Sequence, residues 1–261
     1  MLHHVTSPDG TVLAVERVTD GPRPLVTFSG GPTGRHNWAA VGQALDGEFE
    51  VWLADRRGRG DSGDTAPYSF EREYEDIAAI GSWFGGEAVL AAHSSGALCL
   101  LGAAAREVPA ASLVVYEPPW PLPGRADPTA ALDAMEERLA AGDPAGSFEI
   151  GLLRLVELPA PAVEGMKQAP GWAQRVSYAH TWPREVREVE RLPADTDVLR
   201  GIRLRTVLLI GEQSPEHLRR STAAVADVLP DATVVELPGQ GHTALQTAPA
   251  LVAEAIRRHA G

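Results

Sequence analysis

A chain of 261 residues, 44% hydrophobic and 22% charged, is long enough to bury a sizeable core and has the make-up of a globular protein. Its formal charge of -12, from 35 acidic against 23 basic residues, repels phosphate backbones, so nucleic-acid binding is not expected and solubility is the use of that charge. The one cysteine, Cys99, rules out an internal disulfide and a cluster of zinc-binding thiolates, and no apolar run approaches the length of a membrane span.

The opening, MLHHVTSPDG, has neither the basic region nor the apolar stretch of a signal peptide, and a cytoplasmic protein is expected. HHVTS and TVLAVERV flank Pro8-Asp9-Gly10, a turn sequence, and predict a hairpin. PLVTFSGGP is an apolar strand running into glycines. Residues 36–45 have helical spacing, and FEVWLADRRGRGDSG is a further strand ended by arginines and glycines. A helix is predicted over 70–84, a strand over 88–92, a helix from about Ser95, and a strand in ASLVVYEPP. From 119 to 185 the alternation breaks. That stretch is rich in Pro, Ala and Gly, shows amphipathic helices over 130–141 and 148–157, and has no strand pattern. Its tryptophans admit two readings, an apolar substrate pocket or ordinary core packing. RLRTVLLIGE, PEHLRRSTAAVADVLP, ATVVELPG and APALVAEAIRRHA then resume as strand, helix, strand, helix.

Alternating strands and helices predict an α/β fold: a mostly parallel twisted sheet of about eight strands with helices on both faces. Residues 1–118 and 186–261 form the expected core domain, and 119–185 a helical cap inserted after the sixth core strand.

The stretch AVLAAHSSGALCLLGAA raises the question of chemistry. An apolar strand stops at His93, and a helix begins within three residues. Small-x-Ser-x-small at such a junction is a nucleophile elbow, whose sharp turn demands small residues two places either side of the serine. Ala92 and Gly96 meet that demand for Ser94, whereas Ser95 would need a small residue where His93 stands. The competing reading is a serine capping a helix at a tight turn.

This AHSSG elbow, between strand and helix, resembles that of the α/β-hydrolase family, with alanine for the usual first glycine. The resemblance extends over nearly the whole chain and implies a Ser-His-acid triad. It places the histidine in the glycine-bounded loop after the last strand, where LPGQGHTAL carries His242; a surface turn is the alternative use of that residue. It implies an oxyanion hole from the N–H of Ser95 and, in the Ser29-Gly30-Gly31-Pro32 loop, the N–H of Gly31, since Pro32 has none. Asp55, opening DRRGRGDSG, is read as a structural carboxylate tied to arginines or amides, and His93 as a brace for the turn.

The family's usual aspartate after the seventh strand is missing, because LLIGEQSPEHL offers Gln213 or Ser214 there. Glu117, ending the sixth strand in VVYEPPW, is placed ahead of Glu212 as the replacement: the resemblance implies it, since some members of the family carry the acid after that strand, and a glutamate ending a buried strand otherwise needs an explanation. The activity implied is acyl transfer through an acyl-enzyme, a serine hydrolase acting on an ester, thioester or lactone carbonyl of a small, largely apolar substrate. It needs no cofactor and no metal. The serine argues against epoxide hydrolases and haloalkane dehalogenases, which use an aspartate. A non-hydrolytic protein of the same fold, a cyclase- or lyase-like enzyme or a ligand receptor, is the alternative class, favoured by the missing aspartate. A monomer or homodimer with a small-molecule substrate, and no membrane partner, is expected.

Overall fold

The computed structural model describes residues 1–260. Its strands are β1 (Leu2–Thr6), β2 (Val12–Arg17), β3 (Pro24–Phe28), β4 (Glu50–Ala54), β5 (Val89–His93), β6 (Ser112–Tyr116), β7 (Thr206–Gly211) and β8 (Ala232–Leu237). They form one eight-stranded sheet in the order β1-β2-β4-β3-β5-β6-β7-β8. The pairs β1–β2 and β2–β4 are antiparallel, and every other pair is parallel. The expected α/β architecture is therefore the observed one. Position in the sheet explains the sequence patterns. The central strands β5, β6 and β7 are buried at every residue and read as unbroken apolar runs, while the edge strands β1 and β8 are partly exposed.

The helices are α1 (Ala39–Gln43), α2 (Phe70–Trp83), α3 (Ser95–Ala104), α4 (Thr129–Ala140), α5 (Pro144–Arg154), α6 (Ala160–Lys167), α7 (Trp172–Ser177), α8 (Thr181–Val189), α9 (Glu216–Val228), α10 (Ala244–Thr247) and α11 (Pro249–His259). Residues of α2, α3 and α9 share one core cluster, and those of α1, α10 and α11 share a second that also contains Trp38 and Phe49. The expected helix over 36–45 is in fact a 3-10 turn, Arg35–Trp38, followed by the short α1. Within α3, Leu98, Leu100 and Leu101 are 0–1% exposed. Each such burial is worth roughly 1.5–3 kcal/mol and anchors the helix whose first residue follows Ser94.

Between β6 and β7 the chain forms only helices, α4 to α8 and a short 3-10 turn at Asp197–Gly201, and α8 runs four residues past position 185. These helices have a small core of their own, which includes Leu132, Met135, Phe148, Leu152, Val163 and Trp182. Trp172 and Trp182 pack on Phe148 at ring-centroid distances of 4.9 and 5.6 Å. Trp120 is buried, and its indole N–H is shared between the carbonyls of Pro193 and Asp195. The packing reading of these tryptophans is the one the structure displays.

Parallel register brings the strand ends to one edge. Phe28 pairs with Ala92, His93 with Tyr116, Tyr116 with Leu209, and Gly211 with Leu237. The residues just beyond those positions meet at the carboxyl edge of the sheet, where ligands of open α/β sheets bind.

Candidate active site

Ser94 stands at the tip of the β5–α3 turn with φ 55° and ψ -127°. A positive φ costs a non-glycine residue on the order of 1–3 kcal/mol and persists only where neighbours enforce it. Here the Ser94 N–H donates to the Tyr116 carbonyl at 2.9 Å, and the Ser94 carbonyl accepts from Ala97 at 2.9 Å. The demand for small flanks is met literally: Ala92 is fully buried, and a Cβ on Gly96 would stand 2.6 Å from the Ser29 carbonyl oxygen.

Residue 242 lies 148 positions away in sequence, yet its Nε2 is 3.1 Å from Ser94 Oγ. The other ring nitrogen, Nδ1, lies 2.5 Å from Glu117 Oε2. A carboxylate can only accept, so Nδ1 carries the hydrogen and Nε2 is left to accept from the serine. The loop is held in place by its neighbours. His93 donates from Nε2 to the His242 carbonyl at 3.0 Å, and the two imidazoles lie 4.4 Å apart. Burial, and then the nearby His242, push the His93 pKa well below the ordinary histidine value, so this ring is a neutral donor. Tyr116 donates its hydroxyl to the Gly241 carbonyl. His93 thus braces the His242 loop.

Glu117 is fully buried and has φ 48°. Its backbone N–H continues the sheet to Leu209, and Oε1 accepts from the Gly211 N–H at 2.8 Å and from the Ser214 hydroxyl. The place that lacks an aspartate therefore contributes a hydroxyl to the carboxylate that lies against His242. Glu212 does not join this group; its Oε2 accepts from the Gly239 N–H at 2.6 Å on the exposed side of the loop.

The Gly31 N–H, expected as the second oxyanion donor, donates to Ser95 Oγ at 2.9 Å. The reason is that the Ser95 hydroxyl is itself held toward the loop. It receives a hydrogen bond from Arg56 Nη1 at 3.2 Å and donates to Glu185 Oε2 at 3.0 Å. The loop packs tightly on the elbow, since a Cβ at Gly30 would lie 2.5 Å from both the His93 carbonyl oxygen and Ser94 Cβ. Ser29 Oγ donates to the Gly34 carbonyl at 2.9 Å.

The DRRGRGDSG segment supplies the charges beneath this loop. Asp55 accepts from the Arg35 and Asp61 N–H groups and pairs with the Arg35 guanidinium. Arg57 forms a two-bond pair with Asp76. Arg56 makes a two-bond pair with Glu73 and also reaches Glu185, while Arg59 pairs with Glu185 from the other side. Arg56, Arg59, Glu73 and Glu185 are each no more than 3% exposed. Two guanidiniums and two carboxylates balance, as buried charges must. Cys99 is buried beside them, 3.4 Å from Arg56. The Ser95 hydroxyl and Glu185 were missed at the level of sequence. The only signal was that a second serine followed the first, and nothing marks Glu185 in TWPREVREVE.

Among the described residues no group of three or more His, Cys, Asp or Glu side chains could hold a metal ion, and no helix is long and apolar enough to cross a membrane.

A family model described as Alpha/beta hydrolase family matches residues 25–255. An alpha/beta hydrolase from Sphaerobacter thermophilus is 35% identical, with 99% of this chain and 100% of that one covered and a TM-score of 0.89. A thermophilic esterase from Thermogutta terrifontis is 23% identical over 99% and 97% of the two chains, with a TM-score of 0.76. An esterase from Rhodococcus sp. ECU1013 is 20% identical over 98% and 97%, with a TM-score of 0.74. None of the curated proteins matches the chain significantly in sequence.

Proposed function

This chain belongs to the alpha/beta hydrolase family, and we propose that within it the protein is a serine hydrolase that cleaves an ester, thioester or lactone carbonyl through an acyl-enzyme. The observation that carries this reading is the continuous line from Ser94 Oγ to His242 Nε2 at 3.1 Å and from His242 Nδ1 to Glu117 Oε2 at 2.5 Å. The two esterases above are less than 25% identical and support the fold alone, so the chemistry rests on that line.

In the proposed reaction His242 takes the Ser94 proton as Oγ attacks the carbonyl carbon. Glu117 holds the imidazole in the required tautomer and offsets the imidazolium charge. The negative charge on the former carbonyl oxygen falls to the Ser95 N–H, the first amide of α3, aided by the helix N-terminus, and to the Gly31 N–H where it is shared with Ser95 Oγ. The imidazolium then protonates the departing oxygen or sulfur, and a water activated by His242 releases the acid and restores Ser94. The substrate is a small molecule.

The direct test is hydrolysis of short p-nitrophenyl esters at neutral pH. The wild type turns them over, and Ser94→Ala lowers kcat by about 10³-fold or more. A Ser94→Ala variant that keeps wild-type turnover would overturn the proposal.

A further inference from the structure

We infer that Glu185, on α8, acts through the Ser95 hydroxyl as a positioning residue that sets the Gly31 N–H for the oxyanion, so that the helical segment between β6 and β7 supports the site from above. The inference rests on the serine-hydrolase reading just given. Its starting point is the saturation of one oxygen. A serine hydroxyl has two acceptor sites and one proton. Ser95 Oγ uses all three: it accepts from Gly31 N–H at 2.9 Å and Arg56 Nη1 at 3.2 Å, and it donates to Glu185 Oε2 at 3.0 Å. Such a hydroxyl cannot rotate without breaking a bond to a charged and buried partner.

Both partners are fixed. The Arg56 guanidinium is clamped by the two Glu73 oxygens and also donates to the Ser29 carbonyl at 3.2 Å, at the start of the same loop. Glu185 lies between Arg56 and Arg59. Burial alone would raise its pKa, but Arg56, Arg59 and the Ser95 hydroxyl outweigh burial and lower it, so Glu185 stays a carboxylate and keeps the Ser95 proton turned toward itself. The helix that carries Glu185 is tied down at two further points. Arg184 pairs with Asp64 at 2.7 Å, and Glu188 accepts the Phe70 N–H at 3.0 Å, at the start of α2.

Gly31, in contrast, has little else to hold it. Its φ is +44°, a Cβ there would meet nothing within 4 Å, and among the described residues its carbonyl accepts from Thr33 alone, two residues on. The Ser95 hydroxyl is thus the anchor that keeps the Gly31 N–H beside the elbow, where an oxyanion on the Ser94 adduct can share it. A donor displaced by a few tenths of an ångström binds a developing charge poorly while leaving the ground state nearly untouched.

The experiment compares wild type, Ser95→Ala, Ser95→Thr, Glu185→Gln and the Ser95→Ala/Glu185→Gln pair on a short p-nitrophenyl ester, with Ser94→Ala as reference. Ser95→Ala is expected to lower kcat about tenfold to a hundredfold with KM within about threefold, since only transition-state stabilisation is lost. Ser95→Thr, which restores a hydroxyl, recovers most of that loss. Glu185→Gln lowers kcat severalfold on its own and adds less than about twofold to Ser95→Ala, because it acts through that oxygen. If Glu185→Gln does not fold, Glu185→Asp, which keeps the charge but withdraws it from Ser95, takes its place with the same expected loss and the same lack of effect on top of Ser95→Ala. Unchanged or increased kcat in Ser95→Ala, a loss that Thr does not rescue, or fully additive effects overturn the inference while leaving Ser94 chemistry intact. A wild type without turnover, or a Ser94→Ala variant with full turnover, overturns the underlying reading and this inference with it.

Discussion

Replacing Glu117 by glutamine separates orientation of the histidine from its mere presence. The glutamine has the shape of glutamate and keeps one acceptor oxygen. In the wild type Oε1 faces two donors, the Gly211 N–H at 2.8 Å and the Ser214 hydroxyl, while Oε2 faces the His242 Nδ1–H at 2.5 Å. A glutamine must present its NH2 to one side or the other. Gly211 is a backbone donor that cannot turn, so the carbonyl oxygen stays with Gly211 and the NH2 faces Nδ1. Two donors at that separation repel, and the imidazole is driven to the tautomer with its hydrogen on Nε2, which cannot accept the Ser94 proton. The expected loss in kcat is on the order of 10³–10⁴, or about 4–5.5 kcal/mol of barrier. The fold should survive, because two of three hydrogen bonds and the buried volume are retained. The assay is p-nitrophenyl ester hydrolysis beside a thermal melt, with Glu212→Gln as the comparison, expected within about threefold of wild type because its carboxylate caps Gly239 instead. A Glu117→Gln enzyme within tenfold of wild type, or a Glu212→Gln enzyme as impaired, would refute the assignment of the acid.

Two further outcomes follow from local geometry. Gly211→Ala would place a Cβ 2.5 Å from the Gln240 carbonyl oxygen and 2.6 Å from Ser214 Oγ; a melt should show a loss of about 1–3 kcal/mol, and kcat should fall with it as the Glu117 and His242 loops are pushed apart. A variant with wild-type melting and kcat would show that the contact relaxes freely. Asp9 bears on acid stability. Burial alone would raise its pKa, but hydrogen bonds from Arg57 and Thr11 outweigh it and lower the carboxyl from 3.8 to about 2. A depressed folded-state value adds stability that is complete above about pH 4 and disappears as the pH falls toward 2, on the order of 1–2 kcal/mol. Asp9→Asn should therefore lower stability at pH 6 and flatten its dependence between pH 5 and 2 in denaturant titrations; an unchanged slope would contradict this.

Much of this was legible in the sequence because it follows from steric or electrostatic necessity. An elbow needs small residues at 92 and 96, and only one of the two serines satisfies that. The resembled family includes members with the acid after the sixth strand, and a glutamate at the end of an all-buried strand needs a partner; together these placed Glu117 ahead of Glu212 before its contact with His242 was visible. The sheet was readable because strands buried on both faces cannot contain polar alternation. Other features depend on contacts that local pattern does not encode. Glu185 meets Ser95 across 90 residues, from a segment with no strand to fix its place. Trp172 and Trp182 carry no mark that distinguishes a pocket wall from the inside of a helical cluster. The start of α5 was in fact available: Asp143 accepts the Gly146 N–H at 2.8 Å and Pro144 opens the helix, a cap signal that apolar spacing alone overlooked.

The claim that Ser94 forms the covalent bond is tested most directly by mass spectrometry after exposure to a fluorophosphonate. The account predicts one adduct, placed by fragmentation on Ser94 and not Ser95, and none on Ser94→Ala. An adduct confined to another residue, or equal labelling of the alanine variant, would contradict it.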